Sequence, residues 1–120
     1  MAIEQMIGTL FLARDIAHRE HFRTKSYAQH VALGEFYSSI IDLADGFVEA
    51  YQGRYQVVYN FPIRDSKVAT PIVSALEGLL NEIEEYRYEC VPKADTALQN
   101  MIDEIVGQFL TTLYKLKNLK

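Results

Sequence analysis

The sequence has little of what several protein classes require. It has one cysteine, Cys90, so an internal disulfide framework is excluded and a reducing cytoplasm is the expected location. Acidic residues outnumber basic ones, and the net charge of -4 argues against nucleic acid as a partner. Arg14 and Asp15 interrupt the first apolar run, so we expect neither a secretory signal nor a membrane span.

The motifs of several enzyme classes are also missing. The chain has no glycine-rich phosphate loop, no paired-cysteine zinc spacing and no serine or cysteine in a nucleophile motif. It also lacks the Glu-x-x-His unit that di-iron helical bundles use. No catalytic residue is therefore assigned separately from the metal ligands considered below.

What the chain does contain is apolar residues at steps of three and four, which predict amphipathic helices. The first helix is expected from about Ala2 to Arg23. A capping box at Ser26 opens the second helix, and Gly53 ends it. The turn between them has about three residues, so these two helices must be antiparallel neighbours.

Two more helices follow in the second half of the chain. Thr70 and Pro71 have the pattern of an N-cap followed by proline at the first helical position. This third helix is expected to stop before Pro92, and Asp95 to cap the fourth. The sequence therefore predicts a single domain, residues 1–120, with four helices.

The stretch from Gly53 to about Thr70 shows no helical period. Val57 to Phe61 has the composition of a β-strand, but a lone strand has no pairing partner. An extended connection of this length can reach about 55 Å, more than the roughly 39 Å of the second helix. Such a crossover lets helices two and three run parallel. The expected fold is therefore all-α, a ferritin-like four-helix bundle with a long crossover between helices 2 and 3.

Histidines and carboxylates are concentrated in the first two helices, where His18, His21 and His30 lie. His21 is interpreted as a partly buried residue at a helix end. Asp45 and Glu49 are four residues apart and share one helix surface. Asp45 lies about 22 Å along the helix from His30, so one metal cannot bind both in one chain.

Two chains could bring these residues together. If their second helices packed antiparallel about a two-fold axis, the histidine end of each would meet the acidic end of the other. Two readings remain open: unrelated polar residues, or a metal site shared between subunits.

The spacing of these residues resembles that of Dps-type miniferritins. His30 follows His18 by twelve residues, and Asp45 and Glu49 follow His30 by fifteen and nineteen. The stretch from His30 to Glu49 resembles that family's second helix throughout, although Gly34 stands where the family usually has aspartate. The sequence also resembles a group of short phage-encoded proteins.

The miniferritin resemblance implies a homo-oligomer, a two-fold dimer or a larger shell. It implies iron as the cofactor, with zinc or another divalent metal as alternatives, and a ferroxidase-like activity. The implied metal ligands are His18 and His30 of one chain with Asp45 and Glu49 of its neighbour. The alternative is a non-catalytic helical-bundle interaction protein of phage origin that kept the fold and lost the metal chemistry.

Overall fold

The computed structural model describes residues 2–65 and 71–120. Four helices occur there in the order α1 (Ala2–Arg23), α2 (Tyr27–Arg54), α3 (Ile72–Cys90) and α4 (Thr96–Asn118). Within these residues no β-strand is formed. The predicted all-α class with four helices is confirmed.

The helix ends follow from local capping chemistry. The Ser26 hydroxyl accepts the Gln29 N–H at 3.2 Å, and the Asp95 carboxylate accepts the Leu98 N–H at 3.3 Å, so both predicted caps are confirmed. The third helix differs from the prediction by one residue. Pro71 has extended backbone angles (φ -51°, ψ 134°) and is therefore the N-cap instead of the first helical residue. Thr70 lies outside the described residues.

The directions of the helices follow from four ion pairs between them: Arg54–Asp95, Lys115–Glu35, Arg87–Asp103 and Lys117–Glu77. Arg54–Asp95 joins the end of α2 to the start of α4, and Lys115–Glu35 joins the end of α4 to the first part of α2, so these helices are antiparallel. The last two give the same relation for α3 and α4. Two helices that are both antiparallel to α4 must run in the same direction, and α2 and α3 therefore do.

The hydrophobic core lies between the four helices. The helices in contact are α1 with α2 and α3, and α4 with α2 and α3. Phe36, Phe47 and Phe109 are fully buried, and the rings of Phe36 and Phe109 meet edge to face at 5.0 Å. Cys90 is also buried, and burial raises the pKa of its thiol to about 12. No helix in the described part of the chain is long and apolar enough to cross a membrane.

Residues 55–65 follow α2 as an extended segment that contacts α1 and α3. The Val58 side chain is buried, and its N–H donates to the Gln52 side chain at 3.0 Å. Pro62 lies so close to Gly8 that a Cβ at residue 8 would be 2.8 Å from the Pro62 Cγ. The Arg64 guanidinium then binds Glu82 of α3 at 3.0 Å. Gly8 is therefore required for this segment to lie directly on α1.

Candidate functional site

The histidines lie where α1 turns into α2. The rings of His21 and His30 stack with their centroids 3.7 Å apart and an interplanar angle of 18°. His21 lies two residues before the end of α1 and His30 three residues after the start of α2. Their nearly equal distances from the turn explain why they meet.

Two reciprocal hydrogen bonds hold this pair, which we call the histidine clamp (His21 and His30). The Nδ1 of each ring lies 2.7 Å from the backbone carbonyl oxygen of the other residue. Because a carbonyl oxygen can only accept, each Nδ1 carries the proton and donates. The His21 carbonyl belongs to the last turn of α1, whose carbonyls lack partners within the helix, so the clamp also satisfies a helix end. Each Nε2 is left outside these two hydrogen bonds.

Gly34 makes room for the clamp. A Cβ at residue 34 would lie 3.1 Å from Cε1 and 3.3 Å from Nδ1 of His21, closer than ordinary van der Waals contact. The Cβ of an aspartate at this position, as the miniferritin resemblance implies, would force the His21 ring to shift by a few tenths of an ångström. The neighbouring Glu35 does not replace that carboxylate here, because it binds Lys115 of α4 at 2.9 Å.

His18 lies one helical turn further from the hairpin than His21, so His21 and not His18 stacks on His30. His18 lies five residues before the end of α1. Its ring stacks on Tyr37 at 4.1 Å and on Phe22 at 5.2 Å. The clamp and this stack form one aromatic cluster at the hairpin.

Asp45 and Glu49 are exposed on the distant half of α2. Asp45 borders a cleft of about 310 Å³ between α1 and α2, whose other walls include Phe11, Arg14 and Ile41. Among the described residues, no three histidine, cysteine, aspartate or glutamate side chains are grouped to hold a metal ion. The predicted set His18, His30, Asp45 and Glu49 concerns two chains, and it stays a prediction.

A second polar cluster lies at the opposite end of the bundle and was not predicted. The Tyr55 hydroxyl donates to Asp95 at 2.6 Å, and Arg54 donates to the same carboxylate at 2.9 Å. The hydrogen bond from Tyr55 is the main cause that holds the pKa of Asp95 below its ordinary value. Asp95 was recognised as a helix cap, but the sequence carries no signal that Tyr55, forty residues earlier, would bind it. This cluster fastens the end of α2 to the start of α4.

These features define a four-helix protein whose first hairpin is closed by paired histidines. Residues 21–116 match the model of a family of unknown function, DUF5856, and the chain belongs to this family. It is 34% identical over 114 residues to the "Uncharacterized 14.6 kDa protein in mobD-ri intergenic region" of Enterobacteria phage T4. That match covers 94% of this chain and 86% of the phage protein. No solved structure matches the chain. The resemblance to short phage proteins is thereby confirmed.

Proposed function

We propose that this chain is a non-catalytic interaction protein, in which the histidines of a ferritin-like bundle close a helical hairpin instead of binding a metal. The histidine clamp carries this proposal. It engages one nitrogen of each ring in a hydrogen bond to backbone, and it occupies the space next to residue 34. In the miniferritin pattern that space belongs to a ligand carboxylate, so the clamp and that ligand would compete for the same space.

The ferritin-like part of the proposal rests on helix direction. α2 and α3 run the same way, and seventeen residues connect them, from 55 to 71. A connection between parallel helices must return along the length of the bundle, which is the arrangement of ferritin-like folds. The contacts of Pro62 with Gly8 and of Arg64 with Glu82 support a path over α1.

The interaction part rests on exposed aromatic side chains beside the clamp. Phe22 is 74% exposed and Tyr27 is 80% exposed, although both are large rings at the end of the hairpin. Aromatic side chains are enriched where proteins bind one another. We propose that the protein acts in the cytoplasm of a phage-infected cell, since a relative at 34% identity is a protein of phage T4. The acidic net charge favours a protein partner over nucleic acid.

The test is metal binding by the wild-type chain and by a variant designed to regain it. His21→Ala together with Gly34→Asp removes the clamp and restores the carboxylate that the resemblance implies. Thermal unfolding is measured with and without anaerobic Fe(II), because a ligand that binds the native state raises Tm. We expect no shift for the wild type and a rise in Tm for the double variant. A wild-type shift that disappears in Glu49→Ala would overturn the proposal.

A shared metal site is the second candidate function. Three observations favour it: the His30 Nε2 is outside the clamp's hydrogen bonds, Asp45 and Glu49 are exposed, and neither has an ion-pair partner among the described residues. Nitrogen and oxygen donors of this kind suit iron. Aerobic addition of Fe(II), followed in the near ultraviolet, should then show oxidation faster than buffer in the wild type and slower in Glu49→Ala. Equal traces at the background rate would exclude this candidate.

A further inference from the structure

The outward side of α4 carries a stripe of five residues separated by alternating steps of four and three: Asp103, Gly107, Leu110, Tyr114 and Lys117. Residues with this spacing lie on one side of a helix. Leu110 is 53% exposed and Tyr114 is 58% exposed, so two large side chains at the centre of the stripe face solvent. We call these five residues the α4 stripe.

The α4 stripe borders an open groove between α3 and α4. The groove has a volume of about 570 Å³, and its walls include Leu80, Leu110 and Tyr114. The ion pair between Glu77 and Lys117, 2.7 Å long, lies at one end of it. α2 packs elsewhere on α4, through Lys115 and not through the stripe. The stripe is therefore independent of the α2 surface considered for a shared metal site.

The order of residues in the α4 stripe is self-complementary. When a second α4 is laid antiparallel against the first with Leu110 at the centre, Tyr114 of one helix faces Gly107 of the other. Lys117 of one helix then faces Asp103 of the other. No described atom lies within 4 Å of the place where a Cβ of Gly107 would be, so a tyrosine ring has space there. At each end of the two paired stripes, the Lys117 ammonium of one helix therefore lies opposite the Asp103 carboxylate of the other.

Charges on α3 reinforce this polarity. α3 carries five glutamates and one arginine, and Glu84, Glu85 and Glu89 are exposed in its second half. Since α3 and α4 are antiparallel, that half lies beside the start of α4, where Asp103 is. The opposite end of the groove has Lys117. The surface thus has exposed glutamates near one end and the Lys117–Glu77 ion pair at the other, with an apolar centre between them.

We propose that a second copy of this chain binds here, with the two α4 helices antiparallel across a two-fold axis near Leu110. Such an interface is isologous, so each favourable contact occurs twice. The ion pairs that Lys117 and Asp103 make within one chain do not oppose this, because both side chains are about half exposed and surface pairs contribute little. The inference goes beyond the proposed function and does not depend on it, since a metal-binding bundle could dimerise here equally.

Disulfide cross-linking tests the position of the axis. Leu110→Cys places two thiols next to the proposed axis, whereas Ser38→Cys places them at the centre of the antiparallel α2 arrangement. Ser38 is exposed, and the native Cys90 is buried and does not compete. Under mild oxidation we expect Leu110→Cys to form a covalent dimer at least tenfold faster than Ser38→Cys. Equal rates, or faster cross-linking of Ser38→Cys, would overturn the proposal.

Sedimentation of unmodified chains tests the contacts themselves. The wild type should be dimeric at about 10 to 100 μM, and Leu110→Lys should raise the dimer Kd more than tenfold by placing two cations at the axis. Lys117→Glu should also weaken the dimer, because it opposes Asp103 with a like charge. Lys115→Glu is the matched control, with the same charge change outside the stripe. A monomeric wild type, or equal effects of the two lysine variants, would contradict the inference.

Discussion

Gly34→Ala tests directly whether the histidine clamp stabilises the fold. Alanine normally stabilises a helix interior relative to glycine by about 1 kcal/mol, because glycine loses more conformational freedom on folding. Gly46 offers the matched control on the same helix, since no described atom lies within 4 Å of the place of its Cβ. Gly46→Ala should therefore raise the free energy of unfolding by about 1 kcal/mol.

At Gly34 the same methyl group meets the His21 ring at 3.1 Å. The ring must move by a few tenths of an ångström, but it is stacked on His30 and bound to its carbonyl. Overpacking of this kind costs about 1 to 3 kcal/mol, and weakening one hydrogen bond adds up to about 1 kcal/mol. After subtraction of the helix-propensity gain, Gly34→Ala should lower the free energy of unfolding by about 0 to 3 kcal/mol.

The assay is urea unfolding of a double-mutant cycle. In a His21→Ala background the obstructing ring is absent, so Gly34→Ala should become stabilising by about 1 kcal/mol, like Gly46→Ala. The coupling energy between residues 21 and 34 is then about 1 to 4 kcal/mol, above the scatter of about 0.5 kcal/mol between independent sites. If Gly34→Ala and Gly46→Ala stabilise the otherwise wild-type chain equally, the ring is not held where the structure places it.

Three further predictions concern other parts of the bundle. Gly8→Ala should lower the free energy of unfolding by about 1 to 2 kcal/mol in urea, because its Cβ would clash with Pro62, and an unchanged midpoint would contradict this. The Tyr55 hydroxyl holds the pKa of Asp95 below its ordinary value of 3.8, so the stabilisation is present above that pH and is lost as the pH falls through the folded-state pKa. Asp95→Asn should accordingly flatten the dependence of Tm on pH in acid, and an unaltered slope would refute this cause. Cys90 is buried and the pKa of its thiol is raised to about 12, so a disulfide reagent should react with it only when the protein unfolds, and rapid reaction in the native state would contradict this burial.

Much of the fold could be predicted because helix signals are local. The Ser26 and Asp95 caps and the stop before Pro92 each depend on residues within one turn of the helix end. The two differences in helix ends, at Gly53 and Pro71, are single residues, which is the usual fraying of such boundaries. The extended form of residues 55–65 could be predicted from the loss of helical period. Its contacts with Gly8 and Glu82 could not, because they join residues far apart in the chain and produce no periodic pattern in the sequence.

The histidine clamp could not be predicted in the same way. Which histidine of α1 faces His30 depends on the register across the turn, and one residue of error rotates a helical side chain by about 100°. The acceptors in the clamp's hydrogen bonds are backbone carbonyls, and no pattern of side chains in the sequence predicts such bonds. One signal was present: Gly34 inside a long helix costs stability, and such a glycine often marks a close approach of another group. The sequence shows only that Gly34 stands where the miniferritin pattern has aspartate, and in the structure this glycine leaves the space that the His21 ring fills.

The mass of the assembly in solution connects these proposals. A dimer through the α4 stripe leaves the α2 surface of both copies uncovered, because α2 packs on a different side of α4. A metal site shared through α2 would therefore need a second two-fold axis, and two isologous interfaces on one chain produce a closed tetramer or an open filament. In the proposed function the clamp histidines do not bind metal. Without a shared metal site the α2 surfaces have no reason to meet, so no second two-fold axis is needed. We accordingly expect light scattering to give the mass of two chains, unchanged by Fe(II) or a chelator. A tetramer that a chelator dissociates to dimers would instead support both interfaces, and would show that the clamp and the metal site coexist.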